Sequence, residues 1–356
     1  MTASSRAWET RVLVEGRPGG EIFVSWFRLE CSRYERCDTA SIGVLVRDTA
    51  ALSALLGEQE PAKRPDIVLQ IREERLTGGQ WQTVFHGMVD RISRGSSPSA
   101  YVLNCRDYLA LLLERRLVGG WSNATGIELV RHAVEASGLG FDDSALSGME
   151  VGQYSGQFWQ IEHRRLSTIT QNRHQTAFDL VFSVAREQDF ECSVQGRTVM
   201  LHPWASAQTR SANVFSPDAV TLRAMHRDLS LSGGAVVGVQ SWDSRQRARS
   251  AVYYDGSSFM AEPPSGDRPF YCFRAPGRRM DDIRRLAQGK HRRIMAHAFE
   301  ARLAFPAMVG LAPRHLIRFD DGMTKGGKVL SVDSVRHVFD GRQGYLQDVT
   351  IRDRSG

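Results

Sequence analysis

Cysteine is scarce in this chain of 356 residues, and long apolar runs are absent. The five cysteines are scattered, odd in number and without a C-x-x-C spacing, which does not suit a disulfide framework. The longest aliphatic run covers residues 109–113, whereas a membrane helix needs about 20 apolar residues. Residues 1–8 are polar and contain no signal-peptide apolar region. The sequence therefore predicts reduced thiols, no membrane insertion and synthesis in the cytoplasm.

Motifs for metal or nucleophile chemistry are also missing. Neither H-E-x-x-H nor G-x-S-x-G occurs. Residues 322–328 match G-x-x-x-x-G-K, but Val329 stands where a phosphate loop needs Ser or Thr, and a strand pattern follows. The ten histidines are dispersed, and the carboxylates adjacent in sequence at 142–143, 281–282 and 320–321 point in different directions. We therefore predict no enzymatic activity, no catalytic residue, no cofactor and no metal site.

Lysine is rare as well. Only four of the 46 basic residues are lysines, so the net charge of +6 comes mostly from arginine. A basic balance favours acidic partners, nucleic acid among them. The basic residues are densest at 278–293, which is typical of a solvated helix face, and arginine also suits bidentate contacts between proteins.

The first 112 residues have the pattern of short antiparallel strands. Runs rich in Val, Ile, Phe and Trp are separated by Gly and Pro, and residues 66–74 alternate before a turn at 77–80. This pattern is typical of a barrel or sandwich. Strands are predicted at 11–15, 21–31, 41–47, 66–74, 81–92 and 101–105.

Residues 113–205 change to a mixed pattern. Two capping sequences, at 125–128 and 176–179, each precede an apolar stripe at helical spacing. Residues 190–195 and 198–202 then alternate around a Gly-Arg turn and predict a hairpin. This part is predicted to be a small α/β module.

Residues 206–356 return to strands. An irregular excursion rich in Gly and Pro is predicted at 255–277, and a helix at about 279–296. The period then changes near His297, so a strand follows and stops at Pro306.

Two hairpin sequences in the first and last parts are similar. The segment Gly87 to Asp107 and the segment Leu330 to Asp353 each contain Val-Asp in an apolar strand, then a turn, then a strand ending in Arg-Asp. A duplicated β-domain around the middle module is one explanation. Chance similarity between two amphipathic hairpins is the other.

Several short sequence patterns follow one another along about 280 residues of the chain. The hairpin at 79–87 has the form G-x-W-x-x-V-F-x-G, between a strand at 66–71 and the segment 103–110, where Arg-Asp precedes a short helix. The other segments lie at 176–187, 190–196, 239–243, 300–305 and 329–353. In this order they resemble the baseplate hub, or late control protein, family of contractile-tailed phages and related injection systems.

The resemblance implies an α+β fold, predominantly β, with two barrel-like tube domains flanking an inserted α/β module. The tube domains would be 1–112 and 206–356, and the module 113–205. It also implies a homotrimer whose six tube domains form a ring that adapts the sixfold tail tube to the threefold central spike. The expected function is therefore that of a structural hub in the virion tail baseplate or a tailocin particle.

The expected partners are a tail spike protein, a tail tube or tube-initiator protein and other baseplate proteins, with DNA only passing through the lumen. The chain reaches Gly356 without a glycine-rich or β-helical tail, so the spike is expected to be a separate protein. Two alternatives stay open: a nucleic-acid-binding protein using its arginine-rich surface and, more weakly supported, a baseplate cell-wall hydrolase. Because exposed tryptophan and arginine anchor many interfaces, we predict interface residues at Trp81, Trp242, Arg245, Arg247, Arg284 and Arg285.

Overall fold

The fold is predominantly β and belongs to the predicted α+β class. Twenty strands and four helices form in the described residues, and no helix there is long and apolar enough to cross a membrane. The computed structural model describes residues 7–15, 17–18, 22–47, 53, 64–73, 80–95, 97–118, 126–144, 174–187, 189–203, 214–217, 219–243, 247–276, 278–320 and 328–354.

The elements follow the three parts of the sequence. The first part contains β1 (Trp8–Val14), β2 (Arg17–Pro18), β3 (Ile22–Ser32), β4 (Thr39–Val46), β5 (Asp66–Glu73), β6 (Gln82–Arg94) and β7 (Ala100–Arg106). The middle part contains α1 (Leu109–Glu114), α2 (Gly126–Glu135), β8 (Gly140–Asp142), α3 (Ala177–Glu187), β9 (Phe190–Gln195) and β10 (Thr198–Pro203).

The last part contains β11 (Val214–Phe215), β12 (Thr221–Arg227), β13 (Val236–Asp243), β14 (Ala248–Tyr254), β15 (Phe259–Met260), β16 (Phe270–Arg274), α4 (Met280–Met295), β17 (Phe299–Pro306), β18 (Leu316–Phe319), β19 (Lys328–Asp340) and β20 (Gly344–Arg352). The Gly/Pro-rich stretch 255–277 therefore includes two short strands that the sequence did not predict. After α4 the chain changes to strand at Phe299, as the change of period predicts.

Local sequence explains why several elements form. In β5, Ile67, Leu69 and Ile71 are fully buried and alternate with less buried residues, as a strand with one core face requires. Before α3, the Thr176 hydroxyl accepts the Asp179 N–H (3.1 Å), and the Asp179 carboxylate accepts the Thr176 N–H (3.1 Å). This reciprocal cap is the predicted one. The first capping sequence begins at Thr125, which lies outside the described residues.

The largest sheet has 13 strands and joins the first and last parts of the chain. Its order is β12-β17-β20-β19-β3-β4-β7-β6-β5-β1-β2, and the short pair β11 and β18 lies beside β19. The join is the antiparallel pairing of β3 with β19. In the first half, β1 curls back to pack against β3, but no ladder closes the ring. The described strands therefore form curled, open halves of one sheet, and neither half is a closed barrel.

Four apolar cores lie within this architecture. One fills the first half of the sheet around Phe27 and Leu103, and a second lies under β17 to β20 around Leu303 and Val332. A third core packs α1, α2 and α3 on the small sheet β8-β10-β9. The fourth is small and lies between α4 and the sheet β15-β14-β13-β16. The core of the middle module also includes Met88 of β6 and Cys37, so it contacts the first part of the chain through apolar groups as well as through the polar groups described next.

Candidate assembly site

The two hairpins with similar sequences have the same backbone irregularity. In β6–β7 the register shifts between Val89 and Arg91, which leaves Asp90 as the bulge residue. In β19–β20 it shifts between Val332 and Ser334, which leaves Asp333 in that position. A β-bulge re-aims one side chain away from the regular ladder. Both bulges therefore present an aspartate at the same place in a matching hairpin.

Each bulge aspartate contacts an arginine of the partner strand that pairs two residues before the bulge. Arg106 is hydrogen-bonded to Asp90, and Arg352 Nε lies 3.4 Å from Asp333 Oδ2. Both arginines occupy the equivalent register position, since Arg106 pairs with Met88 and Arg352 with Ser331. The two parts of the chain therefore share a structural device as well as a sequence pattern.

The environments of the two aspartates differ in burial. Asp333 has a side chain that is 0% exposed, whereas the Asp90 side chain is 23% exposed. Arg354 binds Asp333 with two parallel hydrogen bonds of 2.7 and 2.9 Å, and the Tyr34 hydroxyl donates a third of 2.5 Å. Arg33 approaches the same carboxylate at 3.7 Å. Asp333 is thus the anchor of a buried cluster of cations.

Glu191 on β9 connects the middle module to this cluster. Its carboxylate accepts hydrogen bonds from Arg33 (2.5 and 3.0 Å) and from Arg314 (3.0 Å). Arg314 also donates to the Cys192 carbonyl oxygen (2.8 Å), and Arg33 donates to the Ser331 hydroxyl (2.6 Å). These bonds link four segments of the chain: β9, the end of β3, the residues that precede β18, and β19 itself. They fix the orientation of the middle module on the large sheet.

Burial and charge act in opposite directions on these acids. Burial alone would raise the pKa of Asp333, but the hydrogen bond and charge of Arg354 outweigh it and hold the pKa below its usual range. Burial would likewise raise the pKa of Glu191, but the charges of Arg33 and Arg314 outweigh it and lower that pKa. Burial and the Asp333 charge raise the pKa of Tyr34 to about 12. Both acids therefore stay ionised well into the acid range and hold the module in place there.

A cleft of about 1140 Å³ lies beside this network. Its walls come from the end of β3, from β6, from the β9–β10 hairpin and from residues 310–316. One wall carries Ser193, whose hydroxyl lies 2.7 Å from His202 Nε2. Among the described residues no carboxylate is hydrogen-bonded to the second ring nitrogen of His202, so this pair lacks the third member of a catalytic triad. The described residues also contain no cluster of three potential metal ligands.

A second buried acid lies at the start of α1. Asp107 accepts backbone hydrogen bonds from Asp38 (3.0 Å) and Leu109 (3.1 Å), and so ties the end of the β3–β4 connection to the helix. Burial, followed by the charge of Asp38, raises the pKa of Asp107 to about 8. Burial also raises the pKa of the neighbouring Cys37 thiol to about 12. All five cysteines of the chain are free thiols.

The stability of the protein is expected to depend on Asp107 between pH 4 and 8. Because the folded pKa is raised, the native state holds a proton there that the unfolded chain has released, so this group destabilises the fold as pH rises. The slope is at most about 1.4 kcal/mol per pH unit. In Asp107→Asn this contribution is absent. In urea unfolding at pH 5, 6.5 and 8, the free energy of unfolding of the variant should therefore increase relative to that of the wild type as the pH rises.

The exposed pair Asp143–Arg131 supplies a control for that measurement. Asp143→Asn should follow the wild-type pH dependence, because an exposed ion pair contributes about 1 kcal/mol or less. Parallel pH curves for Asp107→Asn and the wild type would contradict the assignment.

The predicted interface residues lie in three separate places. Trp81, before β6, lies between the guanidinium groups of Arg11 (4.2 Å) and Arg72 (4.6 Å), so its ring is engaged within the chain. Trp242, at the end of β13, is 52% exposed. Arg247 is exposed in the β13–β14 turn with φ of +50°.

The remaining predicted residues lie on or near α4. Arg284 is 3.9 Å from Asp281, and Arg285 is 2.6 Å from Asp282, so both are ion-paired along the helix. Arg245 lies outside the described residues. The structure therefore brings Trp242 and Arg247 into one hairpin and places Arg284 and Arg285 on the helix that packs against it, whereas Trp81 precedes β6 in the first half of the large sheet. Their role as interface residues stays a prediction.

The edge strand β12 was not predicted as an assembly site. Leu222 and Met225 lie opposite Leu303 and Ala301 of β17, which are fully buried in the core beneath. Leu222 is nevertheless 47% exposed and Met225 39% exposed, because no strand lies beyond β12 in the described part of the chain. This apolar core is therefore open at one edge of the sheet.

The comparisons with known proteins concern this fold. No protein-family model and no curated protein sequence matches the chain. A tail protein from Neisseria meningitidis MC58 has the same fold with a TM-score of 0.65 and 9% identity, over 98% of this chain and 97% of that one. The chain has the phage tail-protein fold. This confirms, for the fold, the resemblance found in the sequence.

Two further structures share the tail-protein fold. The 43 kDa tail protein of prophage MuSo2 from Shewanella oneidensis matches with a TM-score of 0.60 and 10% identity, over 97% of this chain and 98% of that one. The E. coli c3393 protein matches with a TM-score of 0.52 and 11% identity, over 96% of this chain and 76% of that one. That protein is a component of the type VI secretion system with structural similarity to the T4 tail proteins gp27 and gp5.

Proposed function

We propose that this chain is a structural hub subunit of a contractile phage-type tail. Three copies would form a ring that adapts a sixfold tail tube to a threefold spike, with no catalytic step. The tail-protein fold and the two matching bulged hairpins, one in each half of the large sheet, support this proposal. Residues 1–112 and 206–356 would be the tube domains, and 113–205 the module between them.

The observation that carries the proposal is the open edge at β12. Apolar side chains exposed beside a core favour burial against another chain. A neighbouring subunit placed there would cover Leu222 and Met225 and so complete the core that contains Leu303. Contacts of this head-to-tail kind close into a ring when the rotation between subunits allows it. Three copies, each with two matching halves, would present six similar units to the tube.

The proposed partners follow from this arrangement. A spike protein would bind on the threefold side, and a tube or tube-initiator protein on the sixfold side. The particle would be a virion tail or a tailocin, and DNA would touch the chain only in passing through the lumen. The network around Asp333 would keep the middle module and the sheet rigid under load, since it joins four segments of the chain.

The mass of the purified protein in solution tests the proposal. We expect a trimer, alone or with the spike protein encoded beside it, by light scattering after gel filtration. A chain that stays monomeric with the spike and binds DNA in low salt would contradict the hub and support the nucleic-acid alternative. Release of fragments from peptidoglycan would instead support a hydrolase.

A further inference from the structure

The small sheet β15-β14-β13-β16 ends in an unprotected edge strand. β16 pairs in parallel with β13 and with no other strand among the described residues. Phe270 is 45% exposed and Tyr271 37% exposed, and the Cys272 thiol is exposed as well. Natural edges are usually blocked by lysine, proline, a bulge or an inward charge. The strand sequence Phe-Tyr-Cys-Phe-Arg contains no lysine or proline, and its ladder has no bulge.

The hydrogen bonds at the ends of this ladder show which backbone groups are free. The Val236 N–H donates to the Pro269 carbonyl (2.8 Å), and the Ala275 N–H donates to the Gln240 carbonyl (2.8 Å). In a parallel pair the residues that bond the partner alternate along the strand. The odd-numbered residues of β16 therefore face β13. The even-numbered residues turn their N–H and C=O groups to the open side, with Cys272 in the middle.

Side chains at this edge favour a partner segment that contains both apolar and acidic residues. Register places Tyr271 beside the buried Val237, on the face that packs against α4. Arg274 lies on the opposite face, and neither it nor Arg249 on β14 forms an ion pair with any described residue. The strands β14 and β16 contain no acidic residue. The edge is therefore apolar on the face that packs against α4, and the opposite face combines Arg274 with the exposed Phe270 and Cys272.

We propose that β16 binds an extended, acidic segment of a partner protein as an added strand. Successive side chains of a strand point to opposite faces. A segment that alternates apolar and acidic residues would therefore extend the small core beside Tyr271 and place carboxylates near Arg274. Its backbone would pair with the outward groups of β16, which is strand addition to a free sheet edge. The proposal is independent of the ring, because β12 belongs to the other sheet.

A nucleic acid could also be attracted to Arg274 and to the exposed Trp242, but it would not use the backbone groups of β16. Proline at position 272 separates the two cases. Cys272→Pro removes one outward N–H and keeps every backbone hydrogen bond to β13, as proline on an open edge does. The hydrogen bond from Gln240 to Cys272 Sγ (3.2 Å) is lost with any residue that lacks the thiol. Cys272→Val changes the same side chain but keeps the N–H, so it is the matched control.

The test uses the full chain and a labelled synthetic peptide of alternating valine and glutamate, with fluorescence anisotropy as the readout. We expect Cys272→Pro to weaken binding at least about fivefold, the equivalent of one lost hydrogen bond, and Cys272→Val to have little effect. Arg274→Glu should weaken binding by a similar factor or more. The corresponding valine–lysine peptide should bind far more weakly.

Several results would overturn the proposal. The first is equal binding of the acidic and basic peptides, or no binding of the acidic peptide. The second is binding of the acidic peptide that Cys272→Pro does not weaken. The third is binding of an oligonucleotide that Cys272→Pro does not weaken. Far-UV circular dichroism establishes that the proline variant is folded, and the surface variant Arg274→Glu gives an independent answer if it is not. Trimer mass, measured on the same samples, tests the hub separately.

Discussion

Asp333→Asn is expected to lower the free energy of unfolding by about 3–5 kcal/mol. The substitution keeps the size of the side chain but removes the anion that Arg354 binds with two hydrogen bonds and that Arg33 and Arg352 approach. Arg33 keeps Glu191 and Arg352 keeps Glu300 as counter-charges. The loss therefore falls mainly on Arg354, whose desolvation Asp333 no longer offsets. Urea unfolding at pH 7, followed by tryptophan fluorescence, measures the loss.

Asp90→Asn is the matched control for that prediction. Asp90 occupies the equivalent bulge, but its side chain is 23% exposed, and its partners Arg64 and Arg106 both keep Glu114 as a second acceptor. We therefore expect a loss of about 1 kcal/mol or less. Equal losses for the two variants would show that burial of the Asp333 network contributes nothing beyond a surface ion pair.

The double substitution Leu222→Lys, Met225→Lys is expected to abolish the trimer. Both side chains are partly exposed in the single chain, so the stability of the monomer should change by about 1 kcal/mol or less. In the proposed ring they are covered by the next subunit, where two unpaired ammonium groups would cost several kcal/mol. Association should therefore weaken at least about a hundredfold. Light scattering over a range of protein concentrations measures this change.

Leu113→Lys is the control for the edge variant. Leu113 is 37% exposed, similar to Met225, but lies on α1 and not on the edge of the large sheet. Its substitution should leave the trimer intact. If the β12 variant assembles like the wild type, β12 is not the contact between subunits, and the observation on which the hub proposal rests no longer supports it.

Several elements could be predicted because their signals are local. The capping pair Thr176–Asp179 is three residues apart, so its hydrogen bonds form wherever a helix begins there. The change from helix to strand near His297 follows from the spacing of apolar residues alone. The β5–β6 hairpin follows from alternation and a glycine turn. The two bulged hairpins were also recognisable in the sequence, because each has Val-Asp within an apolar strand.

The exposed edges of the sheets could not be predicted in this way. β12 has the composition of an ordinary strand, and only its position beyond β17 leaves Leu222 exposed. At Trp81, predicted to be an interface residue, nothing in the sequence indicated the contacts of its ring with Arg11 and Arg72 within the chain. Exposure depends on which strands are neighbours, and neighbours far apart in sequence leave no periodic signal.

The sequence by itself determined the fold class, the order of most strands and helices, the cap of α3 and the absence of the familiar catalytic motifs, because each depends on residues within a few positions of one another. Only the tertiary structure decided that β3 pairs with β19, that Glu191 meets Arg33 from 158 positions away, and that β12 and β16 end their sheets. Those outcomes depend on chain closure and on competition between strands for partners, which a linear pattern does not encode.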